Sequence, residues 1–423
     1  MPPPRKFAPR RPTRSIATSA QAPPNAQSPW VLLRSASRHP FIYQRMIDGA
    51  DAAARPGDVV QIYEKSGLLF GRGFFNPGSQ IALRVLTYGD APVDDAFWRT
   101  VIERAITLRR QLNLDAVTDA YRLIHAEGDG LSGLIVERYA DHLVFEFFSL
   151  GMFQRRDQLA EIITGALGPP TRLDRPAGAG DKWRIVHRAD ERVEKMEGFH
   201  VPDVSKGAST RALIQEHGVR YRVDMTGGHK TGFFCDQRDN RRRFANLCRE
   251  ANVLDLCCYT GGFGLSAKIL GQAKEVISVD LDEAALAIAR ENVNLNNARL
   301  ALIHSDAFIY LRQMIANGRM FDAVVLDPPK LAISREDVDD AMRKYYDLNS
   351  LAMQVVRPGG ILLTCSCSGL VSPQMFTQTV HRASRYARRT LQQFEETAAA
   401  PDHPVLLDCP ESAYLKAIWL RVL

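Results

Sequence analysis

From residue 30 to 97, apolar and polar positions alternate in short stretches: VLLRS, DVVQIYE, GLLFGRGFFN and IALRVLTY. A period of two marks half-buried strands. Lys65-Ser66-Gly67 and Asn76-Pro77-Gly78-Ser79 supply turn chemistry between them, so the stretch predicts a small all-β, barrel-like module. Between 94 and 113 the spacing becomes helical, with Phe97, Val101, Ile102, Ala105, Ile106 and Leu108 on one side and charges on the other. Strands at 121–124, 134–137 and 143–148, a helix at 158–167 and a strand at 183–187 follow, with 168–181 as a loop. This second module reads as α+β.

The remainder changes character again. A strand at 219–225 leads through Gly227-Gly228-His229-Lys230-Thr231-Gly232 into a helix running to Leu247. Residues 252–256, 275–279, 300–303, 321–326 and 359–363 are continuous apolar runs, each suited to a strand buried on both faces. Residues 389–395 and 413–422 complete the sheet. Runs of this kind alternating with helical segments predict an α/β domain around a mostly parallel sheet. The expected division is a tail at 1–29, an all-β module at 30–97, an α+β linking module at 98–215 and the α/β domain at 216–423.

Composition narrows this picture. A chain of 423 residues, 45% hydrophobic, suffices for two or three domains. No run of 18 or more apolar residues is present, which argues against a membrane span. Seven cysteines without a spaced framework fit a reducing, cytoplasmic compartment better than a disulfide scaffold. The net charge of +6 permits an acidic polymer as partner. Residues 1–29 are rich in Pro, Ala, Ser and Thr, carry arginines and lack acids, which predicts a disordered tail. A basic RNA-touching arm and an organelle transit peptide are its two functional readings.

Candidate chemistry collects at the ends of the apolar runs. Tyr259-Thr260-Gly261-Gly262 follows the strand containing Asp255, and Asp280 lies 19 residues after Gly261. An acid at that spacing reaches ribose hydroxyls in nucleotide-binding βαβ units. Cys257 and Tyr259 stand where a dinucleotide fingerprint places its first glycines, which points to a smaller nucleoside ligand such as S-adenosylmethionine. Asp306 and Asp327 end the next two strands. Asp327-Pro328-Pro329-Lys330 joins a carboxylate to a rigid, N–H-poor turn suited to the edge of a flat polar ring. Gln237 and Arg238 sit where a loop meets a helix N-terminus. Cys365 and Cys367 in T-C-S-C-S offer a thiol nucleophile, and period-two alternation points both the same way. Neither this pair nor Cys257-Cys258 has zinc-ligand spacing, so no metal is expected. Arg241-Arg242-Arg243 and the Arg382, Arg385, Arg389 face are candidate phosphate contacts.

The chain resembles the RlmI-type class I S-adenosylmethionine-dependent 23S rRNA (cytosine-5) methyltransferases. The motifs that carry the resemblance are Arg38-His39-Pro40-Phe41-Ile42-Tyr43, GRGFFNPGSQIALRVL, YRLIHAEGDGLSGLIVERYADHLV, GGHKTGFFCDQRDNRR, YTGGF, VDLDEAALAIARENVNLN, LDPPKL and GGILLTCSCSG. They extend from about residue 30 to the end. The resemblance implies a PUA-like RNA-binding domain, an α+β linking domain and a Rossmann-like methyltransferase domain. It implies ribosomal RNA as partner, with a homodimer allowed. By motif, Asp280 takes the ribose hydroxyls and Asp306 the adenine amino group. Gln237, Arg238 and the Tyr259, Thr260, Gly261 turn take the methionine side, and Asp255 belongs to the same cofactor set. Cys367 falls on the nucleophile position and forms the catalytic set with Asp327 and Lys330, and Asp327 also counts among the cofactor residues. Cys365 stands at a position that is aromatic in the family. Competing readings are a guanine methyltransferase of the same fold and a non-catalytic RNA-binding assembly factor.

Overall fold

The computed structural model describes residue 16 and residues 21–171, 173, 182–202, 210–225 and 232–423. Most of the expected tail, most of the loop after residue 171, and residues 227–231 lie outside the described residues.

The N-terminal strands form one six-stranded sheet in the order Phe41–Ile42, Leu83–Tyr88, Leu69–Phe75, Val59–Tyr63, Trp30–Leu33, Ile47–Ala50. Two of these, Phe41–Ile42 and Ile47–Ala50, are too short to register as alternating runs. Val31, Leu33, Ile42, Val60, Ile62, Phe75, Leu83 and Val85 share its core, as their alternation demands. Gly71 and Gly73 are needed where this sheet folds closely. A Cβ on either would meet the carbonyl oxygen of Thr87 or Arg84 at 2.1 and 2.3 Å.

The linking module is a four-stranded sheet, Arg184–Arg188, His142–Phe147, Leu134–Tyr139, Ala120–His125, covered by helices Asp95–Gln111 and Arg156–Leu167. The expected boundary at 97/98 falls inside the first helix, which begins at Asp95 behind an Asp94 cap. The boundary at 215/216 falls inside a hairpin, Arg211–Glu216 paired with Val219–Asp224. Ile214, Val219, Tyr221 and Val223 of that hairpin pack with Tyr139 and Val144 on one side and Leu265 on the other. The hairpin therefore welds the linking sheet to the C-terminal domain, so no break in burial marks a boundary there.

The C-terminal elements are β1 Asn252–Leu256, α1 Gly262–Ile269, β2 Glu275–Asp280, α2 Glu283–Leu295, β3 Ala301–His304, α3 Ala307–Ala316, β4 Phe321–Leu326, α4 Val338–Val355, β5 Val356–Ser366, α5 Pro373–Tyr386, β6 Leu391–Thr397 and β7 Lys416–Val422. The sheet order is β3-β2-β1-β4-β5-β7-β6. The first five strands are parallel and β7 runs antiparallel to both neighbours. Alternate residues of β1 face opposite cores. Leu254 packs with Leu311, Tyr345 and Phe376 of α3, α4 and α5. Val253 packs with Phe263 of α1 and Phe244 of helix Arg238–Asn246. Side-chain caps fix where the helices start: Asp282 for α2, Asp306 for α3, and Ser372 ahead of Pro373 for α5.

Candidate active site

Five parallel strands bring their carboxyl ends to one edge, where an open α/β sheet places its ligand. After β1 the chain turns through three left-handed residues, Cys257 (φ 60°), Tyr259 (φ 49°) and Gly261 (φ 85°). Only the last is a conformation its residue type adopts freely. At the other two it costs about 1–2 kcal/mol, held by the surroundings. Left-handed residues interleaved with right-handed ones curl backbone N–H groups around a hollow.

Asp280, at the end of β2, fastens this turn. Its Oδ2 accepts the Tyr259 N–H at 2.7 Å and its Oδ1 the Asp282 N–H at 2.8 Å. Tyr259 packs edge-on to Phe234 with centroids 5.0 Å apart, and burial pushes its hydroxyl up to about 12. The buried Thr260 offers its carbonyl to Asn292 Nδ2 at 3.1 Å. Asp306 caps α3 through Oδ1, accepting from the N–H groups of Phe308 and Ile309 at 2.9 and 3.1 Å. Asp280 is thus bonded to the turn, and the Ser305 N–H donates to the Asp280 carbonyl at 3.0 Å, which sets Asp306 at the neighbouring strand end.

Asp255 lies beneath the turn, wholly enclosed. Its Oδ2 accepts the Gly264 N–H at 2.8 Å and the Ser278 hydroxyl at 3.2 Å. Burial pushes its carboxyl up to about 7. Gly264 is obligatory here, since a Cβ would meet Ser278 Oγ at 2.2 Å. Through Oδ2 Asp255 thus holds the turn from behind.

Gln237 and Arg238 are buried, at 2% and 1% exposed. The Gln237 oxygen accepts from Asn240 Nδ2 at 2.7 Å. Arg238 pairs with Asp402 at 2.8 Å and Asp239 at 3.0 Å. A helix start commonly faces a ligand, but this one is covered by the segment between β6 and β7. Arg241 is likewise spent on a buried bidentate pair with Glu216, both contacts 2.7 Å, which leaves Arg242 and Arg243 as the exposed members of that run.

The second half of the site forms where β4 and β5 end side by side, Leu326 opposite Thr364. The Asp327 N–H donates to the Leu256 carbonyl at 3.3 Å, tying the Asp327-Pro328-Pro329-Lys330 turn to β1. Half-buried Cys367 presents its thiol 3.8 Å from the Pro328 carbonyl. It is clamped between two serines. Ser366 Oγ donates to the Tyr345 hydroxyl at 3.0 Å, and Ser368 Oγ accepts the N–H groups of Leu331 and Ala332 at 3.1 and 3.2 Å. Lys330 stands exposed at the rim.

Cys365 has a different environment. It is fully buried within β5 opposite Ala417, and burial, reinforced by Asp327, pushes its thiol well above the usual range. β5 ends at Ser366, so Cys365 lies inside the strand and Cys367 just beyond it. Alternation does not extend to Cys367.

Two participants escaped the sequence reading. Asp402 is a buried acid in an otherwise unremarked loop. Lys416 is a lysine opening the apolar strand KAIWLRV, and that misfit was the available signal.

In the N-terminal sheet, Arg38 lies over the Tyr88 ring and Arg45 over the Tyr43 ring, at 5.9 and 5.7 Å. His39 reaches the C-terminal domain: its Nε2 lies 2.9 Å from Glu411 Oε2, with Cys409 close by. The Phe41 N–H donates to His39 Nδ1 at 3.0 Å. In the neutral ring this places the proton on Nε2, toward Glu411. The contact is an interdomain latch.

The chain matches the S-adenosylmethionine-dependent methyltransferase family over residues 196–421 and the PUA-like domain over residues 34–88. It is 39% identical over 393 residues to the ribosomal RNA large subunit methyltransferase I of Aliivibrio fischeri strain MJ11, covering 91% of this chain and 96% of the relative. Against the protein of the same name from Enterobacter sp. strain 638 it is 36% identical over 396 residues, with the same coverage. A solved SAM-dependent methyltransferase from Streptococcus mutans shares the fold, with TM-score 0.75 at 18% identity, covering 93% of this chain and all of the other. A methyltransferase complexed with SAH gives TM-score 0.75 at 19% identity, covering 91% and 96%. The turn closed by Asp280, the strand-end acids and these likenesses converge: the chain belongs to the ribosomal RNA large subunit methyltransferase I family of S-adenosylmethionine-dependent methyltransferases.

Proposed function

We propose that the protein methylates C5 of a cytosine in large-subunit ribosomal RNA, with Cys367 as nucleophile. The observation that carries this reading is the half-buried Cys367 thiol beside the Asp327-Pro328 turn, which is itself tied to the end of β1, the strand that leads into the Asp280-bonded turn. Family membership supports ribosomal RNA as the substrate and S-adenosylmethionine as the donor. The hollow suits that donor, since its curled N–H groups receive a carboxylate and the strand-end acids receive hydroxyls and an amine. Asp280 takes the ribose hydroxyls, Asp306 the adenine amino group, and the Tyr259, Thr260, Gly261 turn the methionine end. Asp255, Gln237 and Arg238 support these from behind. When bound, S-adenosylmethionine supplies an electrophilic methyl group.

The protein's own groups do the rest. The Cys367 thiolate adds to C6 of the cytosine, and the π electrons of the C5=C6 bond move onto the ring, making C5 nucleophilic. Asp327 holds the N3/N4 edge and stabilises charge developing there. After C5 is methylated, a base takes the C5 proton, the C5–H electron pair restores the C5=C6 double bond, and the C6–S bond breaks to release the thiolate. The base must leave its stack to be reached. The N-terminal sheet, with its arginine–aromatic pairs, guides the RNA, and Lys330 at the rim meets it near the site. No helix among the described residues is long and apolar enough to cross a membrane, and all seven cysteines are free. Both fit a cytoplasmic enzyme.

The test is bisulfite and mass-spectrometric mapping of ribosomal RNA from cells with and without the protein. One 5-methylcytosine should disappear from the large-subunit RNA. Loss of a methylguanosine instead would transfer the reading to the guanine enzyme.

A second measurement addresses the donor hollow alone. Asp280→Ala removes a carboxylate that both holds the turn and meets the ribose. Charge-assisted bonds of this kind contribute about 1.5–3 kcal/mol each. Calorimetric affinity for S-adenosylmethionine should fall by roughly tenfold to a hundredfold or more. Unchanged affinity would exclude Asp280 from the hollow.

A further inference from the structure

We propose that Lys416 is the charge partner of Cys367: its ammonium group holds the backbone that follows the cysteine and stabilises the thiolate form. The inference rests on the reading of Cys367 as nucleophile and adds the residue that keeps it ionised.

Lys416 opens β7, opposite Ser366 in the antiparallel ladder with β5. It is 4% exposed, rare for a lysine without a charged partner. Its Nζ donates to the carbonyls of Ser368 at 2.7 Å and Tyr414 at 2.9 Å. Carbonyls satisfy N–H groups but supply no countercharge, and among the described residues Lys416 makes no ion pair with a carboxylate. A buried cation left in that state is costly unless an anion forms nearby. Ser368 is the residue directly after Cys367, so the ammonium is anchored to the peptide that carries the thiol. Burial draws the Lys416 pKa down to about 8, Cys367 acts against that shift, and the like charge of Lys330 adds to it. Other titratable groups face this pair: Asp327 and Lys330 from the turn after β4, Tyr345 from α4, Cys365 from β5, and Tyr414, which donates to Asp236 at 2.5 Å.

The ionisation step is simple. The Cys367 S–H bond breaks, its electron pair stays on sulfur and the proton passes to water, while Lys416 keeps its three protons. When the product is expelled the same thiolate is restored against the same ammonium. Lys416 is thus a positioning and electrostatic residue, acting through Cys367.

The test reads the thiolate without methyl transfer. Alkylation of Cys367 by iodoacetamide is followed against pH by peptide mass mapping in the full chain, for wild type, Lys416→Gln and Lys416→Arg. Lys416→Gln should move the midpoint upward by about one unit or more, making alkylation at pH 7 about tenfold slower. Lys416→Arg should restore most of the rate. Should Lys416→Gln lose its thermal transition, the arginine variant decides. Wild type should show a bend near pH 8 as the lysine loses its charge, and Lys416→Arg, which does not titrate there, should lack it. A Gln profile matching wild type, an Arg variant as slow as Gln, or a bend that persists in Lys416→Arg would overturn the pairing. Methylation that survives Cys367→Ser would instead remove the nucleophile reading, and the alkylation profiles would still report on the pair.

Discussion

Cys367→Ser should lower methyl transfer to ribosomal RNA by on the order of 10⁴-fold or more, the scale seen when a covalent nucleophile is removed. Serine is nearly isosteric, so its serines-and-tyrosine clamp should survive and S-adenosylmethionine affinity should be unchanged. Cys365→Ser should leave the rate within a factor of a few. Its cost falls on stability, about 1–3 kcal/mol for placing a hydroxyl in an enclosed strand, eased by the Gln237 side chain, which hydrogen-bonds the Cys365 thiol. Single-turnover rates for the two variants, with donor affinity as control, separate these outcomes. Equal loss of activity from both would undo the assignment, and full activity in both would favour methylation of a ring nitrogen, which needs no thiol.

Asp402→Ala should be the most destabilising single change outside the apolar core, by about 3–5 kcal/mol, the usual cost of breaking a buried ion pair by removing one partner. Asp402 is fully enclosed. Its carboxylate accepts from Arg238 Nη2 at 2.8 Å and from the Arg122 N–H at 2.8 Å, while its carbonyl accepts from Arg109 Nη2 at 2.6 Å. Arg109 also grips Asp129 through two bonds of 2.7 and 2.8 Å. One acid thus joins the linking sheet to helix Arg238–Asn246. Removing its carboxylate leaves the buried Arg238 guanidinium with Asp239 alone and the buried Arg122 N–H without its acceptor.

The pH dependence of that contribution has a definite sign. Burial alone would raise the Asp402 pKa, but His403 and Arg238 outweigh it and hold the carboxyl below the ordinary range. A depressed folded pKa gives stability that is fully present above the unfolded value near 4 and lost as pH falls below it. Calorimetric melts of wild type and Asp402→Ala should therefore differ most at pH 5–7 and converge below about pH 4. A difference that stays constant to pH 3 would mean the contact is not held by charge.

Periodicity made the architecture legible because burial repeats. Strands enclosed on both faces read as apolar runs at residues 252–256 and 321–326, and the helix at Asp95–Gln111 announced itself by spacing. The short strands Phe41–Ile42 and Ile47–Ala50 carried too few residues for a period to show. The carboxyl-end acids Asp280, Asp306 and Asp327 were found because a parallel sheet leaves polar residues at that edge for few other reasons.

The roles of Gln237 and Arg238 were not legible in the same way. Whether a helix start faces a ligand or a covering segment depends on where a stretch some 160 residues later in the chain comes to rest. Nor did alternation choose between two thiols two positions apart, since that depends on where β5 stops.

The amino-acid order by itself determined the three-part architecture, the turn between β1 and α1, and the acids at the strand ends, all consequences of local pattern and short separation. Only the tertiary structure decided which thiol is reachable, which arginines are spent on internal acids, and that Lys416 and Asp402 belong to the story. Charge pairing inside a protein is a matter of distance and exclusion of water, and neither is written in neighbouring residues. Both arise when strands and loops far apart in the chain close over the same buried space.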